Sequence, residues 1–400
     1  MTVRTRVLIV GAGPVGAVAA YRLAQAGIDV VLLEAGNGCP EDMRASTFHP
    51  PTLEMMSELG VLPELEAMGL QAPVYQYRNR RTGNRIELDL GELADVTRHP
   101  YRLQCEQYKL ARLLTARLGT HPHAEMRFNH RVLGIEQDGA GVTVTTESPM
   151  AIERFRADYV IAADGANSTV RKWLEIDFDG FTYPERFLTL STSFPIEDRI
   201  PGLALVNYVA DADEWCVLLK VPGLWRILVP SADAEDDATL LADAKKNSVF
   251  AGLLGDDTTI ETYHRTLYRV HQRVARKFRK GRVLLAGDAA HLNNPLGGFG
   301  MNSGIHDAWN LTGKLFEILL DNAPADALLD RYERQRHAIT TQFVQAQTIS
   351  NKQLLESSSA NEKTAQEQKL EALVANPDAR RDYLLRQAMF TSLEDEAKIV

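Results

Sequence analysis

Four hundred residues, 45% hydrophobic and 24% charged, describe a globular chain that can bury one large core or two smaller ones. The net charge of -9 argues against nucleic acid as the main partner, because binding phosphate needs a basic field. Cys39, Cys105 and Cys216 lack the number and spacing of a disulfide framework or a zinc site, and no long apolar run or cleavage pattern occurs, so a cytoplasmic protein with no metal and no integral membrane segment is expected.

Residues 7–10 are an apolar run of buried-strand type, 11–16 read GAGPVG, and a helical pattern continues to Gly27 before a second strand over 28–33 that ends in Glu34. Strand, Gly-x-Gly-x-x-Gly, helix, strand and a following acid make up the dinucleotide fingerprint. Gly11 permits the tight turn, Gly13 lets a pyrophosphate approach, Gly16 lets the helix pack on the strand, and Glu34 can accept ribose hydroxyls. Arg44 then precedes a helix opened by Pro50 and Pro51 and closed by Gly60. An arginine there can neutralise a pyrophosphate or cover a flavin, or it can be an ordinary surface residue.

Residues 74–78 and 85–90 predict a hairpin that departs from the α/β pattern, and 101–104 lead into a helix over 106–118, with Gln104 at its entrance. Short strands and turns over 126–164 predict a meander that crosses back onto a parallel sheet. The meander ends in Asp164 and Gly165, and the turn that follows runs to Arg171, with Asn167 or Ser168 placed to cap a short helix. Four strands within 187–229, a helix over 234–250 and a β-rich segment over 259–270 predict a second, antiparallel domain. Its aromatics Tyr183, Phe187, Tyr208, Trp215 and Trp225 can line an apolar pocket over a ring-shaped substrate or fill a core. The basic run 273–280 reads as a solvated segment.

Residues 281–311 combine a strand at 283–286, Gly287 and Asp288, a turn containing Pro295, Gly297, Gly298 and Gly300, and a helix that resumes near Met301. A helix opening behind thinly covered backbone presents unpaired amide hydrogens and a positive dipole end, which suits an electron-rich, planar cofactor. The pattern is helical over 311–355 with a restart at Pro324, polar over 356–369, and helical again over 371–400. This last part reads as a lid, a packing arm or a dimer contact.

Three motifs stand in order: GAGPVG at 11–16, ADGANSTVR at 163–171 and GDAAHLNNPLGGFGMN at 287–302. Together they resemble the single-component FAD-dependent aromatic hydroxylases, the family that includes para-hydroxybenzoate and phenol hydroxylases. The resemblance implies an α/β fold: a Rossmann-like FAD-binding domain with an inserted antiparallel β-sheet substrate domain and C-terminal helices. The FAD-binding parts would be 1–73, 99–175 and 271–340, the substrate-domain hairpin 74–98, the substrate sheet 176–270 and the helical extension 341–400.

The resemblance also implies a monooxygenase in which NADH or NADPH reduces FAD, and O2 is delivered to an aromatic or heteroaromatic small molecule through a flavin C4a-hydroperoxide. In this family Asp288 of the Gly287-Asp288 motif would contact the ribityl chain, with Gly287 also counted as cofactor-binding, Pro295 would lie near the flavin ring, and Gly300, Met301 and Asn302 would be backbone donors to its pyrimidine edge. Asp164, Gly165 and Arg171 would serve the pyrophosphate and the nicotinamide nucleotide, and Arg44 and Gln104 would touch the flavin. No catalytic base is assigned: His291, Tyr208, His306 and His49 are candidates. Gly297-Gly298-Phe299-Gly300 differs from the Gly-Gln-Gly usual in ubiquinone-pathway hydroxylases, which lowers a membrane quinone as substrate. A flavin oxidoreductase of the same fold that inserts no oxygen is the alternative. The expected partners are a small aromatic substrate and O2, with the protein a monomer or homodimer.

Overall fold

The computed structural model describes residues 2–41, 45–211, 214–231, 235–356 and 360–400. The expected flavin contact Arg44 lies outside the described residues. One eight-stranded sheet is built around Ile152–Ala162, which pairs in parallel from Arg154 to Ala162 with the first strand, Thr2–Val10. Its other edge is shared: the N-terminal half pairs antiparallel with Gly141–Glu147 and the C-terminal half in parallel with Val283–Leu285. Val30–Leu33 and Ala124–Arg127 extend the parallel side beyond the first strand. Val7, Leu8, Ile9 and Val30 to Leu33 are all buried, as expected for strands covered on both faces. The strands' carboxyl ends converge at Val10, Leu33, Ala162 and Leu285.

A second eight-stranded sheet holds the long strands Phe178–Thr192 and His264–Ala275, the strands Val206–Ala210, Cys216–Val221 and Leu224–Ser231, and the hairpin Val74–Asn79 and Arg85–Asp89. The hairpin joins through a parallel pairing in which Asn207 faces Gln76. At the opposite edge His264–Ala275 pairs with His291–Leu292, so the segment after Asp288 is hydrogen-bonded directly to the second sheet. One face of this sheet packs on Val249, Phe250 and Leu253. The other packs on Leu355, Leu370 and Leu384 from the C-terminal helices.

Two helical expectations need correction. The helix expected over 234–250 is two helices, Asp237–Leu241 and Asp243–Leu254, broken where Ala242 turns extended (φ -67°, ψ 157°). The polar stretch expected to interrupt the helices over 356–369 is instead largely helix Ala360–Ala375. Tertiary contacts outweigh its weak amphipathic pattern: Leu370 is buried against the second sheet, and Glu367 accepts hydrogen bonds from Asn79 (2.8 Å) and Asn84 (2.6 Å) of the hairpin.

The long helix Phe299–Leu319 is the spine between the glycine-rich turn and the C-terminus. Its Asp307 is fully buried and accepts from the Gly287 N–H (2.9 Å), His291 Nε2 (2.8 Å) and Arg336 Nε (2.6 Å). Arg336, on Ala325–Ile339, also pairs with Glu396 of the last helix, Phe390–Ala397. Burial works against the Asp307 charge, but Arg336 and His291 together hold its carboxyl below the usual range. A carboxylate depressed in the fold adds stability above its unfolded value and loses it as pH falls through the folded one. Asp307→Asn leaves the buried guanidinium short of charge and is expected to cost about 3–5 kcal/mol at neutral pH. In urea titrations the gap between variant and wild type should narrow on acidification, and a gap that widens would contradict this account.

Candidate flavin and substrate site

A single cavity of about 550 Å³ runs from the carboxyl ends of the parallel strands to the second sheet. Gly11, Gly13 and Glu34 line one end, Asp164, Gly165 and Asp288 the middle, and Pro295, Gly300 and Met301 the approach to an apolar wall of Val206, Leu219 and Leu228. The crevice outside such strand ends is where open α/β sheets take their ligands.

The three fingerprint glycines differ in what demands them. Gly11 has φ +102°, and a Cβ there would stand 2.3 Å from the Ala163 carbonyl oxygen. A Cβ at Gly16 would lie 1.9 Å from the Gly11 oxygen, so that glycine is required by the close fit of helix Pro14–Gln25 on its own turn. Gly13 has an ordinary extended backbone (φ -69°, ψ 178°), and a Cβ there would meet nothing within 4 Å. No described part of the protein therefore requires a glycine at 13, whereas a phosphate approaching the helix N-terminus through the cavity would. Glu34 braces this turn, accepting from Ala12 N–H and Gly36 N–H (2.8 Å each), and still faces the cavity.

At the far end, Gly298 sits in the left-handed region (φ 73°) as the N-cap of the long helix, without a side-chain cap. The first-turn amides therefore carry unpaired hydrogens and the positive end of a 21-residue dipole, with Gly300 and Met301 on the cavity wall. The side chain of Asn302, whose backbone N–H is the expected cofactor donor, is engaged as a staple. Its Oδ1 accepts from His49 N–H (2.9 Å), and its Nδ2 donates to Thr47 O (2.8 Å) and Gly298 O (2.7 Å). His49 stacks on Phe299 with its Nε2 2.7 Å from Gly297 O, and burial pushes its pKa well below the usual value. Gln104 accepts from Thr47 Oγ1 (3.0 Å), while its buried Nε2 has no hydrogen-bond partner among the described residues. An orphaned donor of this kind fits a flavin carbonyl.

Asp164 accepts from Ser168 Oγ (2.5 Å) and Val170 N–H (3.1 Å), with burial raising its pKa. Ser168 is the cap of the short helix Thr169–Trp173. Arg171 donates to Ala289 O and Ala166 O (2.8 Å each) and lies 3.8 Å over the Phe178 ring, so it ties the Asp164 loop to the Asp288 loop. The Gly287 N–H is engaged by Asp307. Among the candidate bases, Tyr208 lines the cavity. His291 is buried against Asp307 and stacks on Phe278, and His306 meets Thr52 Oγ1 (3.1 Å) with its pKa pulled down to about 3 by burial and Arg336.

Of the five aromatics proposed for a pocket, Tyr208 is on the cavity wall. Trp225 is core on the opposite face of the sheet, and Tyr183, Phe187 and Trp215 belong to the cluster under the C-terminal helices. Sequence reasoning missed Tyr268 on the wall, and Tyr75, Tyr77 and Arg102 behind it. Period-two alternation could have found the last three, since Tyr75 and Tyr77 share a strand face, as do Arg102 and Gln104.

A parallel sheet with a dinucleotide turn, and a second helix start and a second sheet that line the same cavity, define the α/β fold of a flavoprotein. The FAD binding domain family matches residues 4–347. Para-nitrophenol 4-monooxygenase of Pseudomonas sp. (strain WBC-3) is 35% identical over 350 residues, covering 86% of each chain. 6-Hydroxy-3-succinoylpyridine 3-monooxygenase of Pseudomonas putida is 34% identical, covering 88% of this chain and 89% of its own. The crystal structure of p-nitrophenol 4-monooxygenase from Pseudomonas putida DLL-E4 superposes with a TM-score of 0.91 at 31% identity, covering 98% of this chain and 99% of that one. The chain belongs to the FAD-dependent aromatic hydroxylases. It is a flavoprotein monooxygenase, and the alternative of an oxidoreductase that inserts no oxygen is not favoured.

Two substitutions separate cofactor space from internal packing. Gly13→Val is expected to unfold at the wild-type midpoint as apoprotein but to bind FAD at least tenfold more weakly, about 1.4 kcal/mol. Gly16→Ala is expected to lower the stability of the apoprotein itself by about 1–3 kcal/mol. Flavin fluorescence titration and apoprotein denaturation read the two effects. Equal FAD affinity in Gly13→Val would refute a pyrophosphate at this turn.

Proposed function

We propose that the protein hydroxylates a ring that already carries an acidic hydroxyl, a phenol or hydroxypyridine, with FAD bound along the cavity from Gly13 to Met301 and the substrate ring against Tyr208. The carrying observation is the continuity of that cavity with the apolar wall of Val206, Leu219 and Leu228. The relatives named above act on para-nitrophenol and 6-hydroxy-3-succinoylpyridine, both hydroxylated six-membered rings. Bound FAD would pass electrons from NADH or NADPH to dioxygen.

The chain's own part is positioning and exclusion. Gly13 leaves room for the pyrophosphate, and Glu34 faces the cavity for the ribose hydroxyls. Asp288 and Pro295 line the middle of the path, where the ribityl chain and flavin ring would lie. The amides at Gly300 and Met301 favour negative charge at the pyrimidine edge, and the buried Gln104 Nε2 supplies a further donor. Arg171 acts indirectly in this reading, by holding the loops that carry Asp164 and Asp288 together. The aliphatic wall keeps bulk water from the reacting ring. No helix among the described residues is long and apolar enough to cross a membrane, and the cysteines are free, which supports a cytoplasmic, diffusible substrate.

The test is turnover of phenols and hydroxypyridines under oxygen-18 gas with NADH or NADPH. One labelled oxygen per product molecule is expected. Hydroxylated product without label, or oxidised substrate without added oxygen, would overturn the reading.

A further inference from the structure

Pro295, Leu296, Gly297 and Gly298 line the cavity in sequence, and their backbone hydrogen bonds can be followed one by one. The Leu296 N–H donates to Asn294 Oδ1 and the Gly298 N–H to the Pro295 carbonyl (3.1 Å each). The carbonyls of Leu296, Gly297 and Gly298 accept in turn from three buried side chains: Asn351 Nδ2 (3.3 Å), His49 Nε2 (2.7 Å) and Asn302 Nδ2 (2.7 Å). The Gly297 N–H is left over. It makes no hydrogen bond among the described residues, although Gly297 is buried and on the cavity wall. A buried backbone N–H seldom goes unpaired in a native fold, so this one points to an acceptor that enters through the cavity.

Asn351 lies outside the cavity lining, on Ala346–Leu355, the helix that follows the π-helical turn Thr340–Gln345. Its Oδ1 accepts from Gln347 Nε2 (3.1 Å) and from Gln387 Nε2 (3.0 Å) of helix Pro377–Gln387, which leaves Nδ2 for the Leu296 carbonyl. With the amide turned over, two oxygens would face each other there. Thr348, one turn earlier, secures the same loop: its carbonyl accepts from Asn294 Nδ2 (3.0 Å) and its Oγ1 from Gln272 Nε2 (3.2 Å), while Gln272 Oε1 accepts from the Asn294 N–H (3.1 Å). Asn351, Gln387, Thr348, Asn294 and Gln272 are all buried and none carries a charge. The network therefore fixes geometry without adding a field of its own. Its fit is close, since a Cβ at Gly297 would stand 2.6 Å from Asn351 Nδ2.

We propose that Asn351 is a positioning residue for the cofactor: by holding the Leu296 carbonyl from the C-terminal helices, it turns the Gly297 N–H into the cavity as a further donor to the flavin ring. The carbonyl and N–H of a trans peptide point to opposite sides, so a carbonyl drawn to Asn351 leaves the next N–H directed away from it. This rests on the flavin placement proposed above and adds to it the segment that sets the donor. Negative charge develops on a flavin ring when it is reduced, and a fixed donor beside it favours the reduced form. Without Asn351 that peptide is free to rotate, and the reduced form loses the donor.

The experiment is a reductive titration of the FAD-loaded full chain against a reference dye, with FAD affinity read by fluorescence and stability by unfolding. Asn351→Leu, close in volume but without the amide, is expected to lose about tenfold in its preference for reduced over oxidised FAD, which lowers the two-electron potential by about 30 mV. Leu384→Ala, which loosens the C-terminal helices where they pack on the second sheet, is expected to lower the unfolding midpoint and keep the wild-type potential. An unchanged or raised potential in Asn351→Leu overturns the proposal. So does an equal fall in Leu384→Ala, which would reduce Asn351 to packing. Should Asn351→Leu not fold, Gln387→Leu, which releases the Asn351 amide from Gln387, is read in its place and must lower the potential. If Gly13→Val binds FAD as tightly as wild type, the flavin placement fails and this proposal with it. If Gly13→Val is weakened while Asn351→Leu keeps the wild-type potential, the placement stands and the positioning role alone is lost.

Discussion

Asp307 is one carboxylate with three donors, and the geometry of the cofactor end depends on it. Gly287 opens the turn after a strand of the parallel sheet, His291 begins the strand that joins the second sheet, and Arg336 leads to the last helix through Glu396. A buried ion can occupy such a junction only if its hydrogen-bonding capacity is filled, and here the donors come from the loop 287–291 and from helix Ala325–Ile339. The consequence is positional. The loop bearing Asp288 and the helix bearing Gly300 and Met301 are fixed to each other by a group that does not line the cavity.

The glycine-rich turn is held from a second direction by Asn302 and His49. Asn302 secures the carbonyls of Thr47 and Gly298, and His49 the carbonyl of Gly297. With those carbonyls engaged, the turn can show its amide hydrogens to the cavity, and a helix start without a side-chain cap becomes a binding surface. The two histidines of this region, His49 and His306, are kept neutral by burial. Their role here is rigidity, which leaves the positive field at this end to backbone dipoles.

What the sequence made legible follows from how local each signal is. GAGPVG, the Asp164 turn and residues 287–302 each pack strand, glycine and helix start into a short run, so their chemistry and their convergence on one sheet could be anticipated. Asp307 could not be, because an aspartate inside a helical pattern reads as a solvated face until Arg336 and His291 are placed beside it. The same holds for Asn302, where the residue was legible as important but its staple geometry required Thr47 and His49. The helix over 360–375 was hidden by its polarity, since the contacts that hold it belong to the hairpin near residue 80.

The substrate end was the least legible for a related reason. Strand faces alternate, so Tyr75 and Tyr77 from the hairpin, Tyr208 from the same second sheet, Arg102 from a three-residue strand of another sheet and Tyr383 from a C-terminal helix share one cluster only after two sheets and a helix are assembled. Each residue alone is unremarkable, and a tyrosine in a half-buried strand is more often core than site. Their joint content is a buried positive charge walled by phenol rings beside the cavity.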